Sequence, residues 1–258
     1  MSQPKVGLQL WTIRHLVKEN FFEAIRKVKE IGYDGIEFQT GFMNVAAPEA
    51  MKQALDEIGI ELAGAVVTWN ELLEQVDEIV HYCHVVETPS LTLAGIFHKP
   101  ATIEEWQAIA AKLNEFGKKC NDLGYRFLYH VHGHEFKPID GIVPMEAMIE
   151  VFDPEYVQLE VDIYWVEWGG MDAVEFLKKY GNISPFIHMK DTADKSAPER
   201  FHDVEVGTGA IDVEGVARIA LANGAEWFIV EQEAFDMDPL DSIKISLENT
   251  RKLAALQP

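Results

Sequence analysis

Two apolar periods alternate along this chain. Stretches with apolar residues three and four apart give way, after a glycine, to short runs rich in β-branched and aromatic residues. Phe21, Phe22, Ile25, Val28 and Ile31 fall at helical spacing behind Asn20 and Glu23, a capping-box pair. Trp106, Ile109, Leu113, Phe116, Cys120 and Leu123 do so behind Thr102 and Glu105. Pro48, Pro144 and Pro239 suit first-turn positions, and Asn70 and Asp212 suit N-caps. Gly32, Gly59, Gly124, Gly181 and Gly224 stand where a helix would close in a left-handed cap.

The strand runs are residues 6–11, 35–38, 60–67, 85–93, 125–132, 157–165, 186–189 and 228–231. Strands that alternate with helices imply a parallel sheet, and eight of them in a chain of this length imply a closed (β/α)8 TIM barrel. A doubly wound open sheet would need a glycine-rich phosphate loop after the first strand, and Gln9-Leu-Trp-Thr-Ile-Arg14 has no glycine. No low-complexity tract or Pro/Ser linker interrupts the pattern, so one domain is expected over residues 1–258.

Composition narrows the partners. The 258 residues are 48% hydrophobic, enough for a large core, and 43 acidic against 22 basic side chains give a formal net charge of −21. That balance repels phosphate backbones and anionic lipid, so neither nucleic acid nor a membrane is expected as a partner. Cys83 and Cys120 fall in helical stretches and read as buried packing residues. The first residues lack the apolar stretch of a signal peptide, and no run reaches a membrane span, so a cytoplasmic enzyme is expected.

Four strands in the second half end on side chains that bind metals. The runs close at His130, Asp162, His188 and Glu231, about one strand-plus-helix unit apart. Residues at the C-terminal ends of successive barrel strands converge on one site. Two imidazoles and two carboxylates suit a divalent transition metal with open positions. Alternation puts Glu160 on the face of Asp162, and Leu128 and His132 on the face of His130. In Tyr129-His-Val-His-Gly-His-Glu-Phe136, His130 lies deeper and is the ligand candidate, while His132, nearer the mouth, suits a base or substrate contact. His134 and Glu135 fall in the following loop, where solvated, supporting or direct roles are open, and His132 or Glu135 is the alternative strand-five ligand. Trp165 and Trp168 suit a sugar-packing wall or a hydrophobic lid, and Lys190, one step outward from His188, could polarise a carbonyl or pair with Asp191 or Asp194. Gln9, Trp11, Arg14 and Glu37 follow strands one and two and could complete the rim. His81, His84 and His98 read as surface or packing residues, and the turn at residues 201–212 lacks the ending of a P-loop and reads as a site-side loop.

These motifs resemble the xylose isomerase-like TIM barrel superfamily, also described as sugar phosphate isomerase/epimerase. The resemblance runs through Gly7-Leu-Gln-Leu-Trp-Thr-Ile-Arg14, Tyr33-Asp-Gly-Ile-Glu37, Glu160-Val-Asp162, His188-Met-Lys-Asp191, Val206-Gly-Thr-Gly209 and Val230-Glu231. It implies one divalent metal ion (Mn, Mg, Co or Zn), a small carbohydrate substrate and, in many members, a homo-oligomer. Family ligands map onto Asp162, His188 and Glu231. Many ketose epimerases of the superfamily carry a Glu where this chain has His130, in a Tyr-His-x-His-x-x-Glu-Phe pattern that resembles inosose dehydratases.

The implied function is a metal-dependent sugar isomerase/epimerase acting on a keto-sugar or related polyol ketone through a metal-stabilised enediolate. Glu231 or His132 would move the proton, with Lys190 assisting, and Trp11, Glu37, Trp165 and Lys190 would contact substrate. The alternative is a dehydratase or lyase of a keto-inositol or 3-keto-glycoside, using the same site for β-elimination. Abasic-site cleavage, known on this barrel, needs a basic groove that the charge does not supply. A noncatalytic sugar-binding barrel does not need four converging ligands.

Overall fold

A computed structural model describes residues 3–39, 41–195 and 203–256. Eight parallel strands close into a barrel: β1 (Lys5–Gln9), β2 (Gly35–Phe38), β3 (Glu61–Val67), β4 (Ser90–Leu93), β5 (Arg126–His130), β6 (Gln158–Asp162), β7 (Phe186–Met189) and β8 (Trp227–Val230). Each strand pairs with its neighbours in sequence, and β8 closes the ring on β1, with Leu8 opposite Val230.

Alternation along these strands builds the interior in layers. Ala63, Leu128, Phe186, Trp227 and Ile229 form a small apolar cluster apart from the main core. One pleat further along, Leu128 is followed by His130, Phe186 by His188 and Ile229 by Glu231. The greasy plug therefore floors the polar layer above it, as expected of a packed barrel rather than a pore. The main core lies between strands and outer helices, where Leu8, Phe127, Leu159 and Val161 meet Ile25, Leu113 and Phe176.

Helix ends follow the local chemistry. Asn20 caps Phe21–Ile31, Thr102 and Glu105 close a full capping box on Ile103–Asp122, Asp212 caps Val213–Ala222, and Pro48, Pro144 and Pro239 open their helices. Asn70 is not a cap: Thr68 takes that place, with Glu71 as its partner. Gly32 and Gly59 are left-handed caps, but Gly181 has φ −61 and starts a short 3-10 turn. A Cβ there would come within 2.7 Å of the Asn223 side chain, so close packing accounts for that glycine.

Several strands are shorter than the apolar runs suggested. After Gln9 the chain turns into a 3-10 segment, Leu10–Ile13, because the Gln9 side chain accepts from the Trp11 N–H. Val85 and Val86 finish the helix Val76–Val86, whose buried Ile79, Tyr82 and Cys83 share their face, and Glu87 (φ 59) breaks it before β4. The fifth strand stops at His130, and the sixth at Asp162, whose carboxylate caps the helix Ile163–Trp168. Cys83 and Cys120 are free and buried, and burial pushes both thiols up to about 12. No helix of the described residues is long and apolar enough to cross a membrane.

Candidate metal centre and its cavity

Barrel register decides which side chains meet. His130 is opposite Glu160 across β5 and β6, and Asp162 is opposite His188 across β6 and β7. Glu231 follows β8 on the same inward face. One ligand atom from each of His130, Asp162, His188 and Glu231 lies within 4.8 Å of the others, and all four residues are buried. A second group, Glu37, Glu160 and His188, meets the same criterion just beside it.

The hydrogen bonds show how the imidazoles are oriented. His130 Nδ1 is 2.9 Å from Glu160 Oε2. Burial and the neighbouring His188 bring His130 down to about 4, so its ring is neutral near pH 7. A proton on Nδ1 then serves Glu160 and leaves a lone pair on Nε2, the arrangement by which a carboxylate orients a metal-binding imidazole. His188 Nδ1 is 3.0 Å from Glu231 Oε2, and its Nε2 is 3.2 Å from Glu37 Oε2. Burial alone would lower His188, but Glu160, Glu231 and Glu37 outweigh it and raise its pKa.

The carboxylates divide in the same field. Burial raises Asp162 and Glu37, and Glu160 adds to the rise at Glu37. Glu231 moves the other way: burial opposes ionisation, yet Lys190 and His188 hold it well below the usual carboxylate range. Asp162 Oδ1 accepts from the Trp165 N–H, while Oδ2 is buried with no hydrogen-bond partner. A buried unpaired carboxylate oxygen is costly unless a cation meets it. Two imidazoles, two carboxylates and that open oxygen fit a divalent metal ion.

Above this layer lies a cavity of about 330 Å³ lined by His130, His188 and Glu231 below and by Trp11, Phe97 and Trp165 around it. Trp11 and Phe97 are 43% and 58% exposed, while Trp165 is buried against Trp168 in an edge-on contact. His132 also lines the cavity, its ring 5.0 Å from Phe97 and 5.4 Å from Trp165. Its Nδ1 passes so near Gly95 that a Cβ there would lie 2.6 Å away, which fixes the need for glycine at that loop position. Burial, reinforced by His130, lowers the His132 pKa.

Other expected site residues are placed differently. Glu37 does not reach the rim; it is fully buried under the cavity, bonded to Gln9 and His188. Lys190 is also fully buried, between the Tyr164 and Trp165 rings. Its partner is not Asp191 or Asp194 but Glu233, at 2.5 Å, with Asp203 at 3.9 Å. Glu135 accepts from Tyr129 Oη–H and the His132 N–H, and His134 Nε2 lies 2.7 Å from the Ile96 carbonyl, so both shape the loop rather than face the ligand cluster. His84 bonds Tyr125 and His98 packs beside Trp69. Of the glycine turn, Phe201 and His202 lie outside the described residues. In its remainder the N–H groups of Gly207, Gly209 and Ile211 hold the carboxylate of Asp191. That turn cradles the protein's own anion.

The family described as xylose isomerase-like TIM barrel matches residues 25–253. The chain belongs to that family. Among curated proteins it is 28% identical to an inosose dehydratase of Clostridium perfringens, over 93% of this chain and 94% of the relative. Among solved structures, a sugar phosphate isomerase/epimerase from Parabacteroides distasonis superposes with a TM-score of 0.81 at 19% identity, covering 99% of this chain and 95% of the other. A structure of IOLI protein with a bound zinc atom gives a TM-score of 0.79 at 16% identity, covering 97% and 98%. At those identities the superpositions speak for the barrel itself.

Glu160, Glu233 and Phe97 join the site without having been singled out as candidates. Glu160 had a signal, since it shares the inward face of Asp162. Phe97 and Glu233 stand in loops, where no period carries information about direction.

Proposed function

We propose that this chain is a divalent-metal-dependent sugar isomerase/epimerase that removes the proton α to the carbonyl of a keto-sugar or related polyol ketone. The observation that carries this reading is the buried meeting of His130, Asp162, His188 and Glu231 on the floor of an aromatic-walled cavity. These four residues would hold the ion, and a divalent ion bound there supplies Lewis-acid polarisation of a carbonyl.

The remaining steps belong to side chains. His132 faces the cavity as a neutral imidazole, because burial disfavours its charged form, and a neutral imidazole accepts a proton. Phe97 and Trp165 pack against its ring at 5.0 and 5.4 Å and hold its orientation. Glu231 is held ionised by Lys190 and His188, which suits a ligand better than a base. Lys190 acts from behind the wall by offsetting the charge of Glu231 and Asp162 rather than by touching a carbonyl. Return of the proton to the opposite face gives epimerisation, and to the neighbouring carbon gives isomerisation.

A second outcome, loss of water from the β-carbon of a keto-inositol, is favoured by two observations. A curated relative named inosose dehydratase aligns with 93% of the chain. In addition, the fifth strand carries His130, bonded to Glu160, instead of a second ligand carboxylate, which leaves the neutral His132 facing the cavity as a proton acceptor. The test is α-proton exchange in D2O on a panel of keto-sugars and inososes, with mass analysis for loss of water. Exchange should vanish in EDTA and return with added divalent metal. Undiminished exchange in EDTA would overturn the proposal.

A further inference from the structure

Glu233 is a charged residue of the cavity that the chemistry above leaves unused. It lies two residues beyond Glu231 and lines the cavity. Three contacts fix it. Lys190 Nζ bonds Oε1 at 2.5 Å, Asp203 Oδ2 accepts from its N–H at 2.6 Å, and Arg14 Nη2 donates to its carbonyl at 3.3 Å. Oε2 takes no hydrogen bond from the described residues, and the side chain keeps 16% of its surface open.

Among the described residues, the cations nearest Glu233 are committed. No lysine or arginine lines the cavity among the described residues. Lys190 is sealed behind the wall by two rings. The Arg14 guanidinium stacks 5.0 Å from the Trp11 ring and donates to the Trp11 and Glu233 carbonyls. A pre-oriented carboxylate with one open oxygen accepts hydroxyl donors, and it repels a phosphate or carboxylate that brings charge and no donor.

We infer that Glu233 is a specificity-determining residue that anchors hydroxyl groups of an uncharged polyol and excludes phosphorylated sugars. This deepens the proposed function and rests on that reading for the keto-polyol chemistry. The metal layer and Glu233 then grip one ring from two sides, with Trp11 and Phe97 as apolar flanks.

The test is calorimetric binding of myo-inositol and of an inositol monophosphate to the metal-loaded protein and to Glu233→Gln. Wild type should bind inositol at least about tenfold more tightly than its phosphate, and E233Q should lose about ten- to a hundredfold for inositol, the range for a hydrogen bond to a charged group. Metal content should stay unchanged in the variant, and the discrimination against phosphate should narrow. A purely structural role, holding Lys190 in place, would instead lower the melting temperature and weaken both ligands equally. If E233Q does not fold, the double variant Lys190→Met/Glu233→Gln removes both members of the ion pair and gives the same readout. No inositol binding by wild type, equal binding of the phosphate, or an unchanged inositol Kd in the variant overturns the inference. Glu233-dependent inositol binding without any metal-dependent proton exchange would sink the proposed function and leave this inference standing.

Discussion

At the scale of single residues, the contact between His130 and Glu160 decides how the fifth strand serves the site. Glu160 has no solvent exposure, and its Oε2 also lies 3.4 Å from His188 Nε2. One carboxylate thus steadies both imidazoles. Removing such a partner typically costs about 10–100-fold in metal affinity, because the ring loses its fixed tautomer and orientation. Glu160→Ala should therefore fall in that range when the protein competes with a chelating dye for zinc. Affinity equal to wild type would show that the imidazoles orient themselves. The sequence placed Glu160 on the right face but said nothing of its partner, since the pairing exists only across strands.

At the scale of elements, glycines let the barrel close over a large indole. A Cβ on Gly35 would come within 2.7 Å of the Trp227 ring and 2.9 Å of the Glu61 carbonyl oxygen, and neither can give way easily inside a sheet. Overpacking of this kind costs about 1–3 kcal/mol. Gly35→Ala should lose that much stability in urea melts, and an unchanged midpoint would mean that β2 and β3 can part without penalty. Elements are also where the sequence was most legible. Helix starts were readable from Asn20, Thr102 and Asp212, because a cap is a local contract between residues three apart. Strand ends were less so. Ile163, Tyr164 and Trp165 continue the apolar run of β6, yet Asp162 caps a helix there, and no apolar period marks that change. The loop residues Phe97 and Glu233 were illegible for the same reason.

At the scale of the molecule, an acidic chain surrounds a cavity that itself carries carboxylates and no free cation among the described residues. Lys190, behind the wall, supplies positive charge against them. The fold was legible from its alternation, and the meeting of His130, Asp162, His188 and Glu231 from the four strand ends. What joins them is the parallel pairing of β5 through β8, which sets His130 opposite Glu160, Asp162 opposite His188, and Glu231, just past β8, against His188 on β7. This convergence of strand ends is what would build a metal site. Its most direct test is elemental analysis of protein purified without added metal, alongside His130→Ala. About one divalent ion per chain is expected in wild type, and its loss in the variant. Wild-type protein that carries no metal and takes up none on addition would contradict it.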